Sequence, residues 1–284
     1  MNSFQMNIGG IPISIRSEQS QFMQLIAEKY QAFASSPDLK SKENSLIITH
    51  SGCQHIQLYM DIGHEKGSGQ KDELSEEKLW VDVTFQNNRF LIRRPDLEGE
   101  IDLVNRVAKV SNREAIYSFD SFLRICYSLI LVQESGFLLH AASVVRDGQG
   151  YVFMGRSGSG KSTIAAYSSQ YLVLSDEISL VRKIGSHYFI YSTPFWGEQE
   201  IKGENFYAPL QGIYQLKKGL QPLSKKLPRR DSLVRLMENT LFFSREPFLT
   251  KQLFQNCFDF IQNVTVYELE FQKHKFFWDV INRS

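Results

Sequence analysis

Eight consecutive residues, Gly155-Arg156-Ser157-Gly158-Ser159-Gly160-Lys161-Ser162, satisfy the pattern G-x-x-x-x-G-K-[ST] at every required place. Glycines at these intervals let the backbone turn tightly enough to aim successive N–H groups at phosphate oxygens. A helix following the loop turns its positive end toward the same anion. Lys161 supplies a mobile point charge for the outer phosphates, and the Ser162 hydroxyl stands where it could coordinate magnesium. Thr163 either brings another hydroxyl to the phosphates or serves as an ordinary first-turn helix residue. The expected chemistry is binding of ATP, or another nucleoside triphosphate, together with Mg2+. The flanks suit the motif, because apolar Tyr151-Val152-Phe153-Met154 leads into the loop and helix-compatible STIAAYSSQ leaves it.

A second group follows at once. Tyr171-Leu172-Val173-Leu174-Ser175 reads as an apolar strand ending in Asp176-Glu177, only 15 residues past Lys161. One short helix followed directly by an acidic strand end makes a compact unit in which loop, metal and carboxylates converge. Two adjacent carboxylates can divide labour, one holding the ion and the other taking a proton from an attacking hydroxyl.

These landmarks resemble the HPr kinase/phosphorylase family and its relatives in the phosphoenolpyruvate carboxykinase group. The resemblance rests on His140 in LLHAASVV, 21 residues before Lys161, on GRSGSGKS, and on the acids of VLSDE. It covers roughly residues 137 to 215 and implies an α/β, mixed-sheet kinase core. It also implies a phosphoryl-transfer enzyme in which Glu177 acts as proton acceptor, with Asp176 as the alternate, and His140 lies near the transferred phosphate. The competing reading of His140 is a hydrogen-bonded core residue. Family members carry an aspartate where this chain has Glu177, and often an acid where it has Arg156, which either touches phosphate or points outward. Glu200-Ile201-Lys202-Gly203 resembles the family's Glu-Ile-Arg-Gly segment, so Glu198 and Glu200 join Ser162 and Asp176 as candidate metal ligands. The longer signature that follows in HPr kinases is missing, which fits the divergent kinase-like proteins of peptide-modification clusters better. A true phosphoenolpyruvate carboxykinase would need a far longer chain.

The expected activity is therefore an ATP- and magnesium-dependent kinase acting on a hydroxyl, such as the serine of a protein or peptide. The alternatives are a nucleotide-binding regulatory or scaffold protein, and an NTPase without kinase activity. A homo-oligomer is compatible with the family resemblance.

The elements that must position these residues fall into two expected domains, an N-terminal α+β domain for substrate recognition or assembly at 1–118 and a catalytic domain at 119–284. In the first, Ile11 to Ile15 reads as a strand and Gln19 to Phe33 as a helix, with Phe22, Ile26 and Tyr30 on one face. Residues 64–78 read as a charged surface loop, and two strands meet around Gln86-Asn87-Asn88. In the second, an apolar helix runs from Phe119 to Val132, a strand from Phe137 to Val145, and a hairpin turns at Gly185-Ser186. Asp231 to Phe260 reads as mostly helical and Val264 to Phe271 as a late strand. Phe276, Phe277 and Trp278 read as packing rather than as a base-stacking platform. The basic stretch holding Lys217, Lys218, Lys225, Lys226, Arg229 and Arg230 reads as a solvated loop, or else as a segment that closes over nucleotide or attracts an acidic substrate.

Composition sets the outer bounds. With 42% hydrophobic and 22% charged residues the chain is of the folded globular class. Its 32 basic and 31 acidic residues nearly cancel, so the overall charge selects neither nucleic acid nor a membrane as partner. Cys53, Cys126 and Cys257 are too scattered for a zinc set or a disulfide framework. With neither a signal peptide nor a membrane-spanning run in the sequence, the expectation is a cytoplasmic protein.

Overall fold

A computed structural model describes residues 2–35, 46–51, 81–112, 116–197, 204–271 and 277–281. The chain divides into two compact units. Unit 1 comprises Met1–Asn7, Ile11–Cys126 and Phe243–Glu246, and unit 2 comprises Ile8–Gly10, Tyr127–Phe242 and Pro247–Ser284. Both mix helix with sheet.

Unit 1 is built from β1 (Asn2–Ile8), β2 (Ile11–Ser17), α1 (Ser20–Lys29), β3 (Leu46–Ser51), β4 (Asp82–Gln86), β5 (Arg89–Arg94), β6 (Leu97–Asp102) and β7 (Val107–Asn112). Its described strands form one sheet in the order β1-β2-β3-β7-β6-β5-β4. Alternation explains β2, where Ile11, Ile13 and Ile15 are buried. Helical spacing explains α1, whose Phe22 and Ile26 share a buried face with Tyr30 just beyond it. The helix stops earlier than its apolar pattern does. Tyr30 leaves helical dihedrals (φ −100°, ψ 15°), and a short 3-10 turn carries Gln31–Phe33. The turn between β4 and β5 falls on Asn87 and Asn88 at φ 50° and 61°, a conformation asparagine tolerates better than most residues. Residues 64–78, read as a loop, lie outside the described residues.

The division between units falls within α2 (Ile116–Gln133), after Cys126. Unit 2 continues with β8 (Gly136–Arg146), β9 (Gln149–Met154), α3 (Lys161–Tyr167), β10 (Leu172–Ser175), β11 (Ile178–Ile184), β12 (His187–Tyr191), β13 (Tyr207–Lys218), β14 (Leu223–Lys226), α4 (Arg229–Asn239), β15 (Thr240–Leu241), α5 (Pro247–Asn263), β16 (Val266–Phe271) and α6 (Phe277–Ile281). The described strands form a nine-stranded mixed sheet. Its main path is β10-β8-β11-β12-β13-β16-β14, with β9 inserted between β8 and β13, and β15 on β8. β9, β13 and β16 run parallel, whereas β8 is antiparallel to its neighbours.

β8 is apolar almost throughout because it is covered on both faces. Phe277 and Trp278 pack in a buried cluster with Val144, Phe153, Ile164, Leu216, Leu269 and Phe271, as their spacing predicted. Phe276 lies outside the described residues. The basic stretch is not a loop: Lys217 and Lys218 end β13, Lys225 and Lys226 lie on β14, and Arg229 and Arg230 open α4. Its backbone is held in register against β16, from Leu223 opposite Glu270 to Lys226 opposite Tyr267, which short-range composition does not reveal. Cys126 and Cys257 are buried free thiols, and burial pushes both thiol pKa values up, to about 12 for Cys257. Cys53 lies outside the described residues. No described helix is long and apolar enough to cross a membrane.

Candidate functional site

The glycine-rich loop starts where β9 ends, at Gly155, and closes where α3 begins, at Lys161. Two glycines take conformations unfavourable for other residues, Gly158 at φ 73° and Gly160 at φ 107°. A Cβ on Gly160 would stand 2.5 Å from Cζ of Phe271, so the loop rests against that ring. A Cβ on Gly158 would meet nothing within 4 Å, so this part of the loop faces open space. Inside the loop the Ser159 amide donates to Arg156 O at 3.0 Å, and Ile164 N donates to Gly160 O at 2.9 Å. The Ser159 hydroxyl is buried without a hydrogen-bond partner among the described residues.

Lys161 is buried, and its ammonium donates to two carbonyls of its own loop, Gly155 O at 2.8 Å and Arg156 O at 3.3 Å. Desolvation lowers its pKa, and the negative charge of Glu177 partly opposes that shift. Lys161 and Glu177 are thus within electrostatic reach of each other. Arg156, Ser157 and Ser162 are exposed, while Thr163 is half-buried.

Sheet register brings the three landmarks together. Met154, which enters the loop, lies opposite Ala141 of β8. The next residue along that strand, His140, lies opposite Ile178, which leaves the acid turn. The Ala141 amide donates to Glu177 O at 2.8 Å. His140 is the one residue of Gly136–Val145 that is not fully buried. The acid turn itself is shaped by Ser175, whose hydroxyl accepts from the amides of Glu177 at 3.2 Å and Ile178 at 3.0 Å. Asp176 is buried, and its Oδ1 accepts the Gly197 amide at 3.0 Å. A Cβ on Gly197 would come within 2.9 Å of Asp176 Oδ2, so a side chain there would displace this carboxylate. Glu198 and Glu200 lie outside the described residues.

Three residues that sequence reasoning missed support the loop from neighbouring elements. Gln215 of β13 is in register with Met154, and its Nε2 lies 3.5 Å from the place a Gly155 Cβ would occupy. Asn239, at the end of α4, donates to Gln215 Oε1 at 3.2 Å and to Arg235 O at 2.8 Å, fixing the carboxamide. Phe271 ends β16 beneath Gly160. Their one local signal was a polar glutamine inside the apolar run GIYQL.

The donor set suits a magnesium ion associated with phosphate, since magnesium is typically held by one or two carboxylates, waters and phosphate oxygens rather than by a full protein cage. The buried, unpartnered Ser159 hydroxyl and the open space at Gly158 suit an anion in the loop.

Among solved structures the chain is similar to the Hpr(Ser) kinase/phosphatase from Coxiella burnetii, at 12% identity over 51% of this chain and 94% of that chain, with a TM-score of 0.29. No curated protein matches. The family model described as SynChlorMet cassette protein ScmC matches residues 107–284, more than half of the chain and the part that contains the loop, His140 and the acid turn. This chain is a member of that family.

Proposed function

We propose that the site is a magnesium-dependent phosphotransferase centre that moves the γ-phosphoryl group of ATP to a hydroxyl, such as a serine of a protein or peptide. The observation that carries this reading is sheet register: the end of β9 that enters the loop lies opposite Ala141 in the middle of β8, and the exit of the acid turn lies opposite the adjacent His140.

In this reading the loop amides bind the phosphates, and Lys161 exchanges its carbonyl partners for phosphate oxygens. That exchange restores the charge compensation that burial denies it. Ser162 and Asp176 would hold magnesium, with Glu198 and Glu200 as further candidates. Bound magnesium would neutralise charge on the phosphate oxygens. Glu177, with Asp176 as alternate, accepts the proton of the acceptor hydroxyl as its oxygen attacks the γ-phosphorus. The bond from that phosphorus to the bridging oxygen breaks, and ADP leaves. His140 stands beside the transferred group as a hydrogen-bonding residue.

Thermal unfolding with and without Mg-ATP tests the binding half. A ligand specific for the folded state at a hundredfold excess over its Kd stabilises by about 2.7 kcal/mol. The wild type should show the upshift and Lys161→Ala should lose it. Label from γ-labelled ATP should enter a serine peptide with the wild type, and Glu177→Gln should abolish transfer while keeping the upshift. An upshift with hydrolysis but no transfer would make the protein an NTPase; an upshift with neither would leave a nucleotide-binding regulator.

A further inference from the structure

β14 ends the main path of unit 2's sheet. It pairs with β16 on one side, and no described strand pairs with the other. An edge of this kind presents N–H and C=O groups that can accept another extended chain. Lysines often guard such edges against self-pairing, but here the positive charge extends well past the strand. Lys218, Lys225, Lys226, Arg229 and Arg230 are all exposed, and none makes an ion pair among the described residues. Lys217, by contrast, is held by Glu268 at 3.2 Å and Glu270 at 2.6 Å. Two aliphatic side chains sit within the same stretch, Leu220 at 86% and Leu223 at 55% exposure.

Register relates this edge to the loop. Lys225 is opposite Glu268, Glu268 is opposite Gln215, and Gln215 is opposite Met154. β14 is therefore three strand spacings, about 14 Å, from the residue that enters the loop. A strand added outside β14 lies one spacing further out, about 19 Å from that residue, which an extended segment covers in about six residues.

We infer that the outer edge of β14 docks an extended acidic peptide, which adds to the sheet as a further strand. Its carboxylates pair with Lys225, Lys226, Arg229 and Arg230, and its apolar side chains cover Leu220 and Leu223. A peptide fits better than RNA or an anionic membrane, because only a peptide backbone can complete a ladder of alternating N–H and C=O groups. On the phosphotransfer reading above, on which this one assignment rests, that peptide carries the acceptor hydroxyl; the docking edge itself does not depend on it.

Fluorescence anisotropy of the full chain with a labelled peptide of about twelve residues, alternating glutamate and valine around one serine, tests the inference. The wild type should bind it saturably. The same peptide N-methylated at every second residue, and its lysine-for-glutamate counterpart, should not bind. Lys225→Glu combined with Lys226→Glu should weaken binding by about tenfold or more, from the loss of two ion pairs and the added repulsion. The unfolding midpoint should change little, since both side chains are exposed. Absence of saturable binding, equal binding of the N-methylated peptide, or tighter binding of oligouridylate or phosphatidylserine vesicles would overturn the proposal. Peptide binding without label transfer from ATP would refute phosphotransfer and leave the docking edge standing. Transfer that ignores the double substitution would overturn the assignment of the docked peptide as the acceptor and leave phosphotransfer standing.

Discussion

Gly160→Ala separates backbone strain from steric conflict in the loop, with Gly158→Ala as its internal reference. Both glycines have positive φ, 107° and 73°, so alanine at either costs about 1–2 kcal/mol in backbone strain. At Gly158 nothing further is lost, because no atom lies within 4 Å of the new Cβ. At Gly160 the Cβ would stand 2.5 Å from Phe271 Cζ and 3.3 Å from Cε1. That ring cannot simply swing out, since Phe271 is buried and meets Phe277 at a centroid distance of 6.2 Å. Overpacking of this kind adds about 1–3 kcal/mol, so Gly160→Ala should cost about 2–5 kcal/mol against about 1–2 for Gly158→Ala. The gain from restricting the unfolded chain is similar for both substitutions and cancels in the comparison. Urea unfolding followed by tryptophan fluorescence measures the difference, with Phe271→Leu closing a double-mutant cycle. The smaller side chain should relieve the clash and give a coupling of about 1–3 kcal/mol. Equal costs for the two glycine substitutions, or strict additivity in the cycle, would refute the account of Phe271 as the support of the loop.

Other consequences can be checked separately. Asn239→Ala removes two hydrogen bonds and strips Gln215 Oε1 of its donor in a partly buried site, which should cost about 1–3 kcal/mol in urea unfolding. Trp278→Phe keeps a large aromatic ring but loses the buried bond from its indole N–H to Ser168 Oγ at 3.2 Å, and should cost about 0.5–1.5 kcal/mol by the same measurement. Phe153→Ala opens the buried cluster beneath the loop and should cost about 3–5 kcal/mol, visible as a lower denaturation midpoint. Asp259 is held below its ordinary carboxyl pKa by bonds from Lys183 and Tyr188. A depressed acid contributes stability that is present above its unfolded pKa and lost as pH falls through the folded one. Asp259→Asn should therefore flatten the acid limb of the stability profile below about pH 4, and an unchanged limb would show that the Lys183 bond carries no such weight.

The placement of the loop between a strand and a helix was legible because its signal is contiguous: glycine spacing, lysine and hydroxyl lie within a few residues, with an apolar run before and a helix-compatible run after them. The acid turn was legible for the same reason, as an apolar strand that ends abruptly in two carboxylates. The α1 face and the asparagine turn between β4 and β5 followed from periodicity and local conformational preference, which short windows record. Sequence left the neighbours of the loop undetermined. Gln215, Asn239 and Phe271 are 60 or more residues from Gly155 in the chain, and only the parallel register of β13 against β9, that of β16 against β13 and the packing of α4 bring them beside it. The status of His140 was equally open, since an apolar strand looks the same whether its histidine is sealed in or reaches solvent. The basic stretch misled because its composition is that of a loop while its backbone is fixed by β16, a partner some 40 residues further on. Chemistry carried by neighbours in sequence is thus written in the sequence. Chemistry carried by register depends on which strands pair, and pairing is settled by burial of the whole sheet.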